Sequence, residues 1–253
     1  MSLENFIKNI SEDDLKKLNE LFYAKQNKIP IFRYSQITSK ILKELLSINK
    51  KIDKDIFNNW FNNIHIIKSE TILFFEKLIE DNRPLIDSYN EEDLKVNMII
   101  PILNSIHFKS YKNEFRDFYE ASMRYETDKF IFNGTTDFVV SKGLFETQRP
   151  YFFIQEFKKG EQNGYPEPQL IAELISAVEL NNDKEIKGAY IVGSLWFFVI
   201  LRKLDKDKYE YFVSNKLDSM RVDDLIQIYK NLLFIKSEII DLITKEKEKN
   251  EQV

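Results

Sequence analysis

The hydrophobic period of this chain first changes near Asn113, and that change limits the folds open to it more than any other feature. Upstream, apolar residues recur every three or four positions. Leu15, Leu18, Leu21 and Phe22 follow a helix start at Ser11, the expected N-cap, with Asp14 at the third helical position. Ile37, Ile41, Leu42, Leu45 and Leu46 make a second stripe, and Ile72, Phe75, Leu78 and Ile79 a third. Arg83-Pro84 breaks the pattern. Another amphipathic helix begins at Asn90, a candidate N-cap, and carries Leu94, Met98, Ile102 and Ile106. Pro101 lies inside it and predicts a kink, because proline has no N–H for the preceding turn.

Downstream the period falls toward two. Phe115 to Thr127 reads as a strand, and Phe130-Ile131-Phe132 leads into Asn133-Gly134, a turn signal. Thr135 to Val140 is β-branched and strand-like, and Tyr151 to Phe157 is the next strand, ended by Lys159-Gly160. Gly164 to Pro168 is expected to be irregular. From Gln169 to Leu180 the spacing is helical again, with Leu170, Leu174 and Ala177 on one side. Gly188 to Gly193, Leu195 to Lys203 and Lys208 to Ser214 read as further strands, with a turn at Asp205-Lys206-Asp207. A helix from residue 221 to about 245 follows, and the charged tract 245–250 should fray. This order predicts an α/β or α+β fold: a mixed central sheet flanked by helices in residues 86–253, with a helical N-terminal region in residues 1–85.

Composition narrows the chemistry. Cysteine is absent, which excludes disulfides, thiolate metal sites and cysteine nucleophiles. His65 and His107 are the only histidines, too few for a typical zinc site or a serine triad. A metal here must be held by oxygens, which favours Mg²⁺ or Mn²⁺. The start of the chain lacks a signal-peptide pattern and no apolar run has membrane-spanning length, so a cytoplasmic protein without a membrane partner is expected. The net charge of −4 offers no general attraction for nucleic acid, leaving only local basic surfaces for that purpose.

The strongest chemical signal is Glu156-Phe157-Lys158. Side chains alternate along a strand, so Glu156 and Lys158 share a face, together with Phe152 and Ile154. Asp137, in the preceding strand, shares a face with Thr135 and Val139. If the two strands pair around a loop from Ser141 to Pro150, Asp137 approaches Glu156. Two such carboxylates can hold Mg²⁺, and Lys158 can orient or deprotonate a water, or stabilise charge in the transition state. The plainer alternative is a surface ion pair on a half-exposed strand, worth about 0–1 kcal/mol. Glu185-Ile186-Lys187 repeats the triplet in what reads as a polar connection, so Asp137 carries much of the argument.

With eighteen residues between Asp137 and Glu156, residues 90 to about 214 resemble the PD-(D/E)XK nuclease superfamily, which has the restriction-endonuclease-like fold. Thr136 stands where the family name has proline. Asn90 to Lys95, running on to Pro101-Ile102-Leu103, resembles the first helix of nuclease domains in type I restriction subunits. Glu91 lies ten residues before the Pro-x-Leu, with Glu92 as the alternative. Gly188 to Gly193 and Trp196-Phe197-Phe198 resemble the strand hairpin of those proteins.

The resemblance implies that Asp137, Glu156 and the Phe157 carbonyl bind Mg²⁺ or Mn²⁺, that Glu91 completes the acidic cluster, that Lys158 assists the water, and that Gln169 positions substrate or site. From the residues alone, Glu91 is equally a first-turn acid suited to the helix dipole, and Gln169 a polar residue at a helix start. The activity implied is metal-dependent cleavage of DNA, or second to it RNA, in restriction or other defence. The partners implied are nucleic acid and, through the N-terminal helices, a second copy or another protein. The rival reading is a restriction-like fold without catalysis, acting as a nucleic-acid- or protein-binding module.

Overall fold

Ten strands form one mixed sheet in the computed structural model, which describes residues 10–26, 29–53, 55–160 and 165–251. The strands are β1 (Ile31–Arg33), β2 (Ser47–Lys51), β3 (Lys109–Ser110), β4 (Phe115–Glu126), β5 (Ile131–Lys142), β6 (Gln148–Lys158), β7 (Glu185–Val192), β8 (Leu195–Asp205), β9 (Lys208–Val213) and β10 (Leu217–Asp218). Their order is β2-β9-β8-β7-β6-β5-β4-β3, with β1 beside β5 and β10 beside β8. Hairpins make most neighbours antiparallel. The β6–β7 pair is parallel and needs a crossover helix, α7 (Pro166–Asn181). The protein therefore has a mixed α+β fold, as the alternation of periods predicts.

Alternation along the strands gives each sheet face its own core. One face packs Phe138, Val140, Phe153, Phe157, Ile191 and Phe198 against α4 (Ser69–Asn82), α6 (Ile100–Ile106) and the long α8 (Val222–Glu251). The other packs Val139, Ile154, Tyr190 and Val199 against α7. Gly188 lets α7 come close, since a Cβ there would stand 2.8 Å from the Ile154 carbonyl oxygen and 3.0 Å from Leu174. Every residue of α7 from Pro166 to Val178 is buried, polar ones included. The side turned from the sheet is covered by the N-terminal region, where Tyr34 donates from its hydroxyl to Ser176 at 2.9 Å.

That region differs from its expected helical character. Alongside α1 (Glu12–Gln26), α2 (Ser39–Leu45), α3 (Asn58–Phe61) and α4 it contributes β1, parallel to β5, and β2, parallel to β9. Both strands are short, and β2 is a lysine-bearing edge strand, so neither alternates visibly. Ser11 accepts from the Asp14 N–H at 3.1 Å as a cap should, but Leu15, Leu18 and Phe22 are exposed.

Five other expectations need correction. Asn133-Gly134 is not a turn: it runs within β5, where Gly134 has φ 155° and a Cβ would lie 3.0 Å from the Tyr34 ring. The glycine answers a packing demand rather than a chain reversal. Phe152 does not share a face with Ile154, because the β5–β6 register slips beside it, and its ring packs 6.4 Å from Phe115 in the α8-side core. Glu185-Ile186-Lys187 begins β7 rather than lying in a connection. Pro166 to Pro168 form the first turn of α7, where a proline N–H would have no partner anyway; Gly164 lies outside the described residues. Finally, α8 continues through the tract expected to fray, held by Lys247 on the Lys112 carbonyl at 3.0 Å. Among the described residues no helix is long and apolar enough to cross a membrane.

Candidate active site at the splayed end of β5 and β6

Asp137 and Glu156 meet where β5 parts from its neighbours. The β5–β6 ladder ends there with Phe138 opposite Gln155. On the other side, pairing with β4 passes from Tyr119–Phe138 to Ala121–Thr136 and omits Glu120 and Asp137. Glu120 adopts φ 49°, a left-handed conformation that costs a non-glycine residue on the order of 1–3 kcal/mol and recurs at functional sites. Buried backbone N–H groups need acceptors, and here the two acids supply them. The Asp137 N–H donates to Glu156 Oε1 at 3.1 Å, and the Phe157 N–H donates to Asp137 Oδ2 at 2.9 Å. The carboxylates are thus interlocked, each on the backbone of the other's strand.

Glu156 is fully buried, and α7 surrounds its outer oxygen. Gln169 Nε2 donates to Glu156 Oε2 at 2.7 Å and to Oε1 of Glu173, one turn further along α7, at 3.2 Å. Glu173 is fully buried too, and its Oε2 has no hydrogen-bond partner. Burial raises the Glu156 pKa well above the carboxylate range, and the Glu173 and Asp137 charges add to the rise. Burial likewise pushes Glu173 up to about 8, although the hydrogen bond from Gln169 works the other way. Two acids bridged by one amide and away from water oppose each other's ionisation.

The other two expected residues come from different directions. Asn90 caps α5 (Glu91–Leu94): its side chain accepts from the Asp93 N–H at 2.9 Å, and Asp93 accepts from the Asn90 N–H at 3.1 Å. That cap sets Glu91 in the first turn, 3.5 Å from Lys158 Nζ. The helix continues through a π turn (Lys95–Ile99) into α6. Pro101 accounts for the irregularity, since it cannot donate to Asn97, whose carbonyl instead accepts from Asn82 Nδ2 at 3.2 Å. Hydrogen bonds thus join Asp137, Glu156 and Gln169, and an ion pair joins Lys158, two residues on from Glu156, to Glu91. Of Phe157, the N–H serves the site while the ring lies in the core.

Sequence reasoning missed Glu173 and Lys95. Lys95 Nζ lies 3.4 Å from Asp137 Oδ1, 3.3 Å from Glu92 and 3.6 Å from Glu120, and 5.7 Å from the centre of the Phe157 ring. Burial disfavours its charge, but Asp137, then Glu92 and Glu120, outweigh burial and raise its pKa. A spacing signal existed for both: Glu173 follows Gln169 by four residues, and Lys95 follows Glu91 by four, each pair on one helix face.

The donor set is hard oxygen throughout. Each oxygen of Asp137 and Glu156 keeps lone-pair capacity beyond the hydrogen bond it accepts. Among the described residues no three histidine, aspartate or glutamate side chains already form a metal-holding group. Two carboxylates with water completing the shell is, however, a common way to hold Mg²⁺, so the residues present fit a divalent ion of that kind. A scan against protein-family models and a search of curated proteins gave no match.

Proposed function

We propose that the protein is a metal-dependent nuclease that hydrolyses phosphodiester bonds, with DNA as the preferred substrate class. The observation that carries the reading is the interlock of Asp137 and Glu156, with Lys158 and Glu91 paired beside them. A Mg²⁺ or Mn²⁺ ion bound there would lower the pKa of a water and offset charge on the phosphate. Asp137 and Glu156 would hold that ion together with the Phe157 carbonyl. Gln169 fixes the Glu156 carboxylate through its outer oxygen. Glu91 holds the Lys158 ammonium at the rim, where it can orient the attacking water or stabilise the charge that develops on the phosphate. The resemblance to PD-(D/E)XK nucleases supports the same assignment and suggests a role in restriction or defence.

Complete burial of Glu156 favours a second reading, in which the interlock only closes the end of the sheet and the protein binds nucleic acid or protein without cleaving. The two separate in one experiment. The purified chain with Mg²⁺ or Mn²⁺ should cut plasmid or single-stranded DNA, and Lys158→Ala should abolish cutting while melting as the parent does. Absence of cleavage of DNA and RNA, together with absence of metal binding, would select the binding module.

A further inference from the structure

We propose that the Lys95 ammonium is a built-in second cation of the site, standing where a second divalent ion would have to bind, so that the protein takes up one such ion and not two. The inference rests on the metal-dependent reading above and concerns how many ions that site accepts. Three carboxylates from three elements, Glu92 on α5, Glu120 on β4 and Asp137 on β5, converge on Lys95 Nζ at 3.3 to 3.6 Å. The side chain is 11% exposed, and its other flank is the face of Phe157. Loose contact with several acids from separate elements is the environment of a bound ion rather than of a surface pair, which typically has one partner.

The backbone is arranged around this contact. The π turn that begins at Lys95 sits at the base of the side chain, and the left-handed conformation of Glu120 accompanies the loss of pairing opposite Asp137. A divalent ion on Asp137 and Glu156 would share Asp137 with the ammonium. A second divalent ion on Asp137 would meet the ammonium at contact distance, and like charges so placed repel strongly. The three acids do not form a metal-holding group as they stand, but without the ammonium their oxygens are the donors a second ion would take.

Counting bound Mn²⁺ by electron paramagnetic resonance on the full chain tests this. The wild type should bind one ion, Lys95→Met two, and Lys95→Arg, which restores the charge, one. Two ions in the wild type, or one in a Lys95→Met protein with native circular dichroism, would overturn the proposal while leaving the metal site intact. No ion in any folded variant would overturn the metal-site reading and this proposal with it. If Lys95→Met does not fold, the double variant Glu92→Gln/Glu120→Gln decides, because both side chains are largely exposed. It should keep one ion at unchanged affinity, and a tenfold or greater loss would make those acids metal ligands and refute the role given to Lys95.

Discussion

Stability of the wild type should fall as pH rises from 5.5 to 7.5, and Glu173→Gln should flatten that fall. Unfolded, the Glu173 carboxyl titrates near 4.5; folded, burial holds it at about 8. Between those values the native state keeps a proton that the unfolded chain releases, so stability falls with rising pH. One such proton is worth about 1.4 kcal/mol per pH unit, or roughly 2.7 kcal/mol across the two units. Glu156 retains protons in the same direction, and the Glu173 charge is one cause of its shift. Glutamine has nearly the same shape, removes the titrating group and relieves Glu156. The slope should therefore decrease by up to about one proton's worth, roughly 1.4 kcal/mol per unit. Urea unfolding of both proteins at pH 5.5, 6.5 and 7.5 in a metal chelator gives the two slopes. Parallel lines would mean that Glu173 itself keeps no proton in the folded state, and the account of its burial would fail.

Four further outcomes follow from the geometry. Lys158→Ala should lower cleavage by on the order of 10²-fold or more, with little change in melting temperature, because its partly exposed pair with Glu91 adds little stability. Glu156→Gln keeps an acceptor for the Asp137 N–H and removes the ionisable group, and a flip of the Gln169 amide lets its oxygen accept from the new NH2, so the variant should be more stable than the wild type in urea at pH 8 and inactive in the plasmid assay. Gly134→Val sets a side chain against Tyr34 at a φ of 155° and should cost about 1–3 kcal/mol in urea unfolding. Asn90→Ala removes the cap that orients Glu91 and should cost about 1 kcal/mol in the same measurement.

Local signals in the chain were enough for the long strands and for the pairing of Asp137 with Glu156. A β-branched run and an aromatic run in sequence pair as a hairpin, and β5 and β6 do. The rest depended on distant residues. Gly134 has the neighbours of a turn residue, but its position answers to Tyr34, a hundred residues earlier. β2 is legible only as the partner of β9, since its lysines follow no strand pattern. The stripe of Leu170, Leu174 and Ala177 marks only one side of α7 as apolar. Burial of Gln169 and Glu173 becomes visible only once the N-terminal region is packed over the helix.

Those buried acids set two demands against each other. Closing the splayed end of the sheet requires only acceptors for two N–H groups, and neutral amide side chains would provide them without the desolvation of a carboxylate. The chain instead places Asp137, Glu156 and Glu173 together, with one oxygen of Glu173 left without a partner. Lys95 offsets charge at Asp137, and Lys158 is turned toward Glu91, so neither lysine pairs with the Glu156 carboxylate. Structure alone gives no reason for acids rather than amides at Glu156. A divalent cation does, because an amide is a poor substitute for a carboxylate ligand and cannot supply negative charge. The expected gain in stability of Glu156→Gln, measured against its loss of cleavage, is therefore the most direct separation of the two roles. A variant that is less stable than the wild type at pH 8 and still cleaves would assign Glu156 to the fold and move the chemistry elsewhere.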